Sequence, residues 1–192
     1  MILLQNEDPG TVRIIKSGVV RVYDITAEGE ERTVSFDVET EIIPIGWVLG
    51  KLEKAQYFYQ ALTDVEVYTL KRQDFLHYIK FHPKIAYEFY ANLANRHMAL
   101  QHRIYALEQT TAASKIAYTL SYLVGRFGEK NSANVSQLTV PLTQQELANF
   151  IGLTRETTST ELKKLERRGI LRTKDKLFHI NTPKLRKLID EL

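Results

Sequence analysis

Cysteine is missing from all 192 residues. Disulfides, cysteine-ligated zinc, iron–sulfur clusters and thiol catalysis are excluded with it. No apolar stretch approaches the roughly 18 residues of a membrane-spanning helix. The first residues, Met1 to Asp8, carry no basic n-region and are too short for a signal peptide, so a cytoplasmic protein with no membrane partner is expected. Nucleophile elbow, phosphate loop and metal-ligand cluster are all lacking. His82, His97 and His102 include no i, i+4 pair, and the acidic residues are scattered. An enzyme, a metal site and a cofactor are therefore not expected. At 44% hydrophobic and 26% charged residues, the chain is an ordinary globular one. Its length allows one large domain or two small ones with ample core.

Charge is unevenly spread. Residues 1–111 hold 12 Lys and Arg against 15 Asp and Glu, a net of −3, whereas residues 112–192 hold 14 against 8, a net of +6. A basic second part suits a duplex-binding module, because neutralising phosphates supplies much of the affinity. An acidic first part argues against nucleic-acid contact there.

Residues 12–70 read as short strands: Val12 to Ile15, Val19 to Tyr23, Thr33 to Phe36, Ile42 to Ile45 and Val65 to Leu70. The turns are at Ser17-Gly18 and Gly29. Such strands, about ten residues apart, predict a β-roll or barrel. Residues 51–60 read as a short helix or a loop leading to a strand. Asp74 is placed as the cap of a short helix over Phe75 to Phe81, and Pro83 as the opening of a longer one. From Lys84 to about Thr110 no proline or glycine intervenes. Tyr90, Leu93, His97, Leu100, Ile104 and Leu107 step by 3, 4, 3, 4 and 3, a heptad seam that predicts a dimer interface. Ala86, Phe89 and Met98 are assigned to a second stripe facing the chain's own core. His97 in the seam is either a hydrogen-bonded neutral histidine or a pH-sensitive pair across a dimer axis. Gln109 to Ala112 reads as a hinge, Ala113 to Phe127 as an amphipathic helix, Glu129 to Gln137 as a surface loop and Leu138 to Leu142 as a short strand.

The most informative stretch follows. Thr143 with Glu146 three residues later is a capping box. Leu147, Ala148 and Ile151 form an apolar stripe, and Gly152 can close the helix in the left-handed conformation. Thr154 can cap a second helix, over 154–168, with Leu162 and Leu165 inward. Arg155, Glu156, Ser159, Thr160 and Lys163 fall on its opposite face. That is a helix-turn-helix whose second helix offers base-reading side chains. Gly169 ends the helix. Leu171 to Thr173 and Leu177 to Ile180 then form a wing with Lys174 and Lys176 at its tip. Thr182-Pro-Lys opens a last helix.

A β-roll, a long helix and a winged helix in this order resemble the CRP/FNR family of bacterial transcription regulators. The resemblance covers nearly the whole chain. It is strongest at Leu142-Thr-Gln-Gln-Glu-Leu-Ala-Asn-Phe-Ile-Gly-Leu-Thr-Arg-Glu-Thr and the Leu-Lys-Lys-Leu-Glu-Arg-Arg-Gly-Ile-Leu after it. The resemblance implies that Arg155 and Glu156 read bases; arginine forks to guanine, and a carboxylate accepts from cytosine. Ser159 and Thr160 face the same groove, but Thr160 stands where the family has a second arginine, so the half-site differs. Thr143, Gln145, Thr157, Lys163, Lys174 and Lys176 are expected phosphate contacts, which position without specifying.

The sensor half departs from the family. Members that bind cyclic AMP hold the ribose with a Gly-Glu pair and the phosphate with Arg-Ser. Here Trp47 takes the glutamate position and Ala55-Gln56 the Arg-Ser position. Lys51 and Lys54 are close in sequence, but lysine replaces a bidentate arginine poorly. A buried phosphate without a cation is costly, so cyclic-nucleotide binding by the family's route is not expected.

These readings combine into an α+β chain. It has a shortened β-roll like a cyclic-nucleotide-binding domain over residues 1–82, a dimerisation helix and hinge over 83–110, and a winged helix over 111–192. Its expected role is that of a homodimeric regulator reading near-palindromic double-stranded DNA, with the paired helices roughly 34 Å apart. Haem, another small molecule or no effector at all stays open, and RNA polymerase is a candidate partner. The alternative is a sensor or interaction module whose winged helix contacts protein.

Overall fold

The computed structural model describes residues 1–175 and 177–192. The chain divides into two compact units, Met1–Arg96 and His97–Leu192.

The first unit is a roll of two three-stranded antiparallel sheets. Strands β1 (Val12–Ser17), β4 (Ile42–Ile43) and β6 (Glu66–Leu70) form one in the order β4-β1-β6. Strands β2 (Val20–Ile25), β3 (Glu31–Asp37) and β5 (Phe58–Ala61) form the other in the order β3-β2-β5. Ile15 and Ile43 from the first sheet meet Val20, Val22 and Tyr59 from the second in one buried cluster, so the sheets close on each other. The expected strand over Ile42 to Ile45 stops at Ile43. Pro44 has no N–H for a ladder, and a short helix, α1 (Ile45–Val48), begins just after it. Residues 51–60 resolve into a loop and then β5.

Helix α2 (Arg72–Phe81) starts earlier than expected: Lys71, not Asp74, is its N-cap, and Asp74 sits in the first turn, where its charge suits the dipole. Helix α3 (Pro83–Glu108) runs 26 residues without a break. Phe89 and Leu93 pack with Val12, Trp47 and Phe75 on the outer face of the first sheet. Met98, expected on that inner stripe, is exposed instead. The inward face continues instead from Phe89 and Leu93 to Arg96, whose Nη2 lies 3.3 Å from Asp37 Oδ1 and whose Nε lies 3.7 Å from Glu41 Oε1. Burial alone would lower the Arg96 pKa; the two carboxylates outweigh it and hold the guanidinium charged.

The second unit is a helical core covered by a sheet. Helix α4 (Ala112–Phe127) is capped by Thr111, whose hydroxyl accepts from Ser114 N. It buries Ile116, Ala117, Leu120 and Leu123. Two expectations fail after it. The polar stretch Glu129 to Gln137 is a hairpin, β7 (Gly128–Ser132) and β8 (Val135–Leu138), and no strand covers 139–142. β8 is bonded on both edges, which overrides the poor strand propensity of its neighbours. Beyond Leu138, Pro141 cannot donate to a ladder. Thr139 instead turns its N–H and its hydroxyl to the Phe127 carbonyl, at 2.9 and 3.1 Å. Helices α5 (Gln144–Ile151) and α6 (Arg155–Arg167) follow, then strands β9 (Leu171–Lys174) and β10 (Leu177–Asn181), and last α7 (Thr182–Asp190). The sheet order is β7-β8-β10-β9.

Candidate nucleic-acid interface

The α5–α6 pair is built by local chemistry. Thr143 Oγ1 accepts from Glu146 N at 3.1 Å, and Glu146 Oε2 accepts from Thr143 N at 2.6 Å, completing the capping box. Gly152 closes α5 at φ 68°. Thr154 Oγ1 then accepts from Thr157 N at 3.2 Å and starts α6. At the far end, Gly169 N donates to Glu166 O and Ile170 N to Leu165 O, a Schellman closure with Gly169 at φ 63°. Helix α6 ends at Arg167 with Arg168 as its C-cap, slightly short of the expected 154–168.

Helix α6 has two unlike faces. Thr158, Leu162 and Leu165 are buried. Arg155, Glu156, Thr160 and Lys163 are exposed on the other side, with Ser159 half-buried beside them. Among the described residues, the side chains of Arg155, Glu156 and Lys163 form no hydrogen bond or ion pair. The charges off this face are committed: Lys164 Nζ lies 2.6 Å from Glu161 Oε1, and Arg168 Nη2 lies 3.3 Å from Glu191 Oε2. So the expected base-reading face is the one left open. Of the expected phosphate contacts, Thr143 and Gln145 stand exposed at the start of α5, and Gln145 Nε2 donates to Asn149 Oδ1. Thr157 Oγ1 accepts from the Thr154 hydroxyl at 2.9 Å. Lys174 is exposed at the end of β9. Asp175, at φ 52°, makes the turn. Lys176 lies outside the described residues.

Sequence reasoning overlooked what supports the corner between α5 and α6. Arg103, near the end of α3, donates from Nη2 to the Phe150 carbonyl at 3.2 Å. Its guanidinium carbon lies 4.1 Å from the centroid of the Phe150 ring, and the Tyr122 ring of α4 stacks on Phe150 at 5.9 Å. Burial lowers the Arg103 pKa below the usual arginine range, with Tyr122 acting in the opposite direction. The only advance signal is the spacing: Arg103 follows Arg96 by seven residues on one helix.

The remaining expected residues lie on α3. Tyr90, His97, Leu100 and Ile104 are exposed and Leu107 is half-buried. Leu93 points partly inward, into the cluster around Phe89. Tyr90 keeps 61% and Ile104 55% of their surface open. In the sensor half, Trp47 is a core residue of α1 with the Arg72 guanidinium 5.4 Å from its ring. Ala55 is buried between the sheets, held by backbone bonds from Asn6 N at 2.8 Å and to Glu7 O at 3.0 Å. Lys51, Lys54 and Gln56 are exposed. Among the described residues no group of His, Asp and Glu could hold a metal ion, and no helix is long and apolar enough to cross a membrane.

Two family models match this architecture: the cyclic nucleotide-binding domain over residues 1–82 and the Crp-like helix-turn-helix domain over residues 114–188. The chain belongs to the CRP/FNR family of transcription regulators. This is a family of regulators, not of enzymes. Nitrogen fixation regulation protein FixK of Azorhizobium caulinodans is 26% identical over 160 residues, covering 83% of this chain and 63% of that protein. Electron transport regulator A of Shewanella oneidensis is 28% identical over 167 residues, covering 86% of this chain and 65% of its own length. This CRP/FNR chain thus spans a little under two thirds of those relatives. The fold matches FixK2 from Bradyrhizobium japonicum with a TM-score of 0.78 at 21% identity, covering 97% of this chain and 91% of that one.

Proposed function

We propose that this CRP/FNR chain is a cytoplasmic, homodimeric DNA-binding transcription regulator. Helix α6 lies in the major groove, with Arg155 and Glu156 reading bases and Ser159 and Thr160 beside them. Thr143, Gln145, Thr157, Lys163, Lys174 and Lys176 meet phosphates. The exposed seam of α3 pairs with a second copy, so the target is a near-palindrome of double-stranded DNA with half-sites one helical turn apart. The observation that carries this reading is the open face of α6: unpaired Arg155, Glu156 and Lys163 share one side, while neighbouring charges are already bridged. The net charge of +6 over residues 112–192 supplies the phosphate attraction.

Cyclic AMP is not its effector in this reading, because Trp47 and Ala55 stand where the ribose and phosphate ligands would be. The test is selection of bound duplexes from a randomised pool, followed by salt titration of the enriched and a shuffled sequence. A near-palindrome with a steep salt dependence is expected. Equal affinity for all duplexes at physiological salt would end the case and favour a winged helix that contacts protein.

A further inference from the structure

The corner between α5 and α6 is fixed from outside the helix pair. Phe150 stands two residues before Gly152. Its carbonyl is among the last four of α5, which have no intrahelical donor. The donor comes from α3 as Arg103 Nη2, 3.2 Å away. The same guanidinium covers one face of the Phe150 ring at 4.1 Å, and Tyr122 stacks on that ring at 5.9 Å. A cation at this place also meets the negative end of the α5 dipole. Helix α5 does not need Arg103 in order to form: it has its capping box, its glycine closure and a buried face of Leu147, Ala148 and Ile151. What Arg103 adds is a link from α3 to the turn that aims α6. At 3.6 residues per turn, Arg103 lies about 100–140° around α3 from Ile104, His97 and Tyr90, off the exposed seam. Rotation of α3 at that exposed seam therefore swings Arg103, and with it the corner.

We propose that Arg103 is a positioning residue: it ties the α5–α6 corner to α3, so that the setting of α3 fixes the angle at which α6 meets DNA. This rests on the reading of α6 as the DNA-contacting helix.

The test uses the full chain, a duplex enriched by the wild-type protein from a randomised pool, and a shuffled duplex of equal length. Arg103→Met keeps the stem and removes the fork. Its affinity for the enriched duplex falls about tenfold, while its affinity for the shuffled duplex and its salt slope stay as in the wild type. Arg103→Lys keeps the charge but not the planar fork and falls nearly as far; it serves equally should Arg103→Met not fold. Phe150→Leu combined with either variant gives losses that do not add. Equal losses on both duplexes with a shallower salt slope would make Arg103 a phosphate contact and overturn the proposal. Unchanged affinity, or additive losses with Phe150→Leu, overturns it as well. If the wild type prefers no duplex, it is the DNA-binding reading that fails, and hydrogen exchange then decides on Arg103. Faster exchange in the last turn of α5 in the Arg103 variants supports the link, and equal exchange overturns it.

Discussion

Arg96 Nη2 lies 3.3 Å from Asp37 Oδ1, so a guanidinium from the middle of α3 rests on the carboxylate that ends β3. Asp37 and Glu41 are both buried. Arg96→Met leaves two buried carboxylates without this cation and should cost about 3 kcal/mol. Asp37→Asn leaves Glu41 as counter-ion and should cost less. Thermal or urea unfolding of the two variants checks the order.

Two side chains on the open face of α6 should separate base reading from phosphate contact. Arg155→Ala should lose about 1–3 kcal/mol on the enriched duplex and relax one base position. Lys163→Ala should weaken all duplexes alike and lower the salt slope by about one. Gel shifts over a salt series distinguish them, and equal losses on enriched and shuffled DNA for Arg155→Ala would remove it from the base-reading set.

The α3 seam predicts an assembly. Ile104→Glu places a charge at a side chain that keeps 55% of its surface open, so the fold should survive. Sedimentation equilibrium should show wild-type dimers and variant monomers. The variant's affinity for a two-half-site duplex should drop toward that for a single half-site. A wild-type monomer at micromolar concentration would count against the pairing.

Thr158 is fully buried on α6, and its hydroxyl has no hydrogen-bond partner among the described residues. Thr158→Val keeps the shape and removes the unsatisfied group, so it should stabilise the chain by about 1 kcal/mol. Thermal unfolding reads the change. Operator affinity should be unaltered, because the side chain points away from the open face.

Calorimetric titration with cyclic AMP should give no heat beyond dilution. In the proposed reading Trp47, packed under Arg72, stands at the ribose position, and Ala55, whose backbone is bonded to Asn6 and Glu7, at the phosphate position. Saturable binding of cyclic AMP between the sheets would refute that assignment.

Features fixed by neighbours in sequence were legible. The capping box at Thr143, the left-handed Gly152 and the Thr154 cap each need only a few residues, and each is present. The wing was legible because β9 and β10 are adjacent in sequence and β10 alternates apolar residues with polar ones. The β7–β8 hairpin was not: Gly-Glu-Lys-Asn-Ser has little strand character and becomes a strand only by pairing. Arg103 was also hidden, because its acceptor is a backbone carbonyl 47 residues away, which no side-chain pattern announces. The inner stripe of α3 was misread at Met98, which is exposed, while a half-buried arginine, Arg96, continues the inward face on two acids.

The open stripe of α3 also bears on dosage. If two chains must join before either half-site is held well, operator occupancy at low protein levels climbs with the square of the number of chains. A twofold rise in synthesis then yields nearly a fourfold rise in bound operator, a threshold that needs no small molecule to set it.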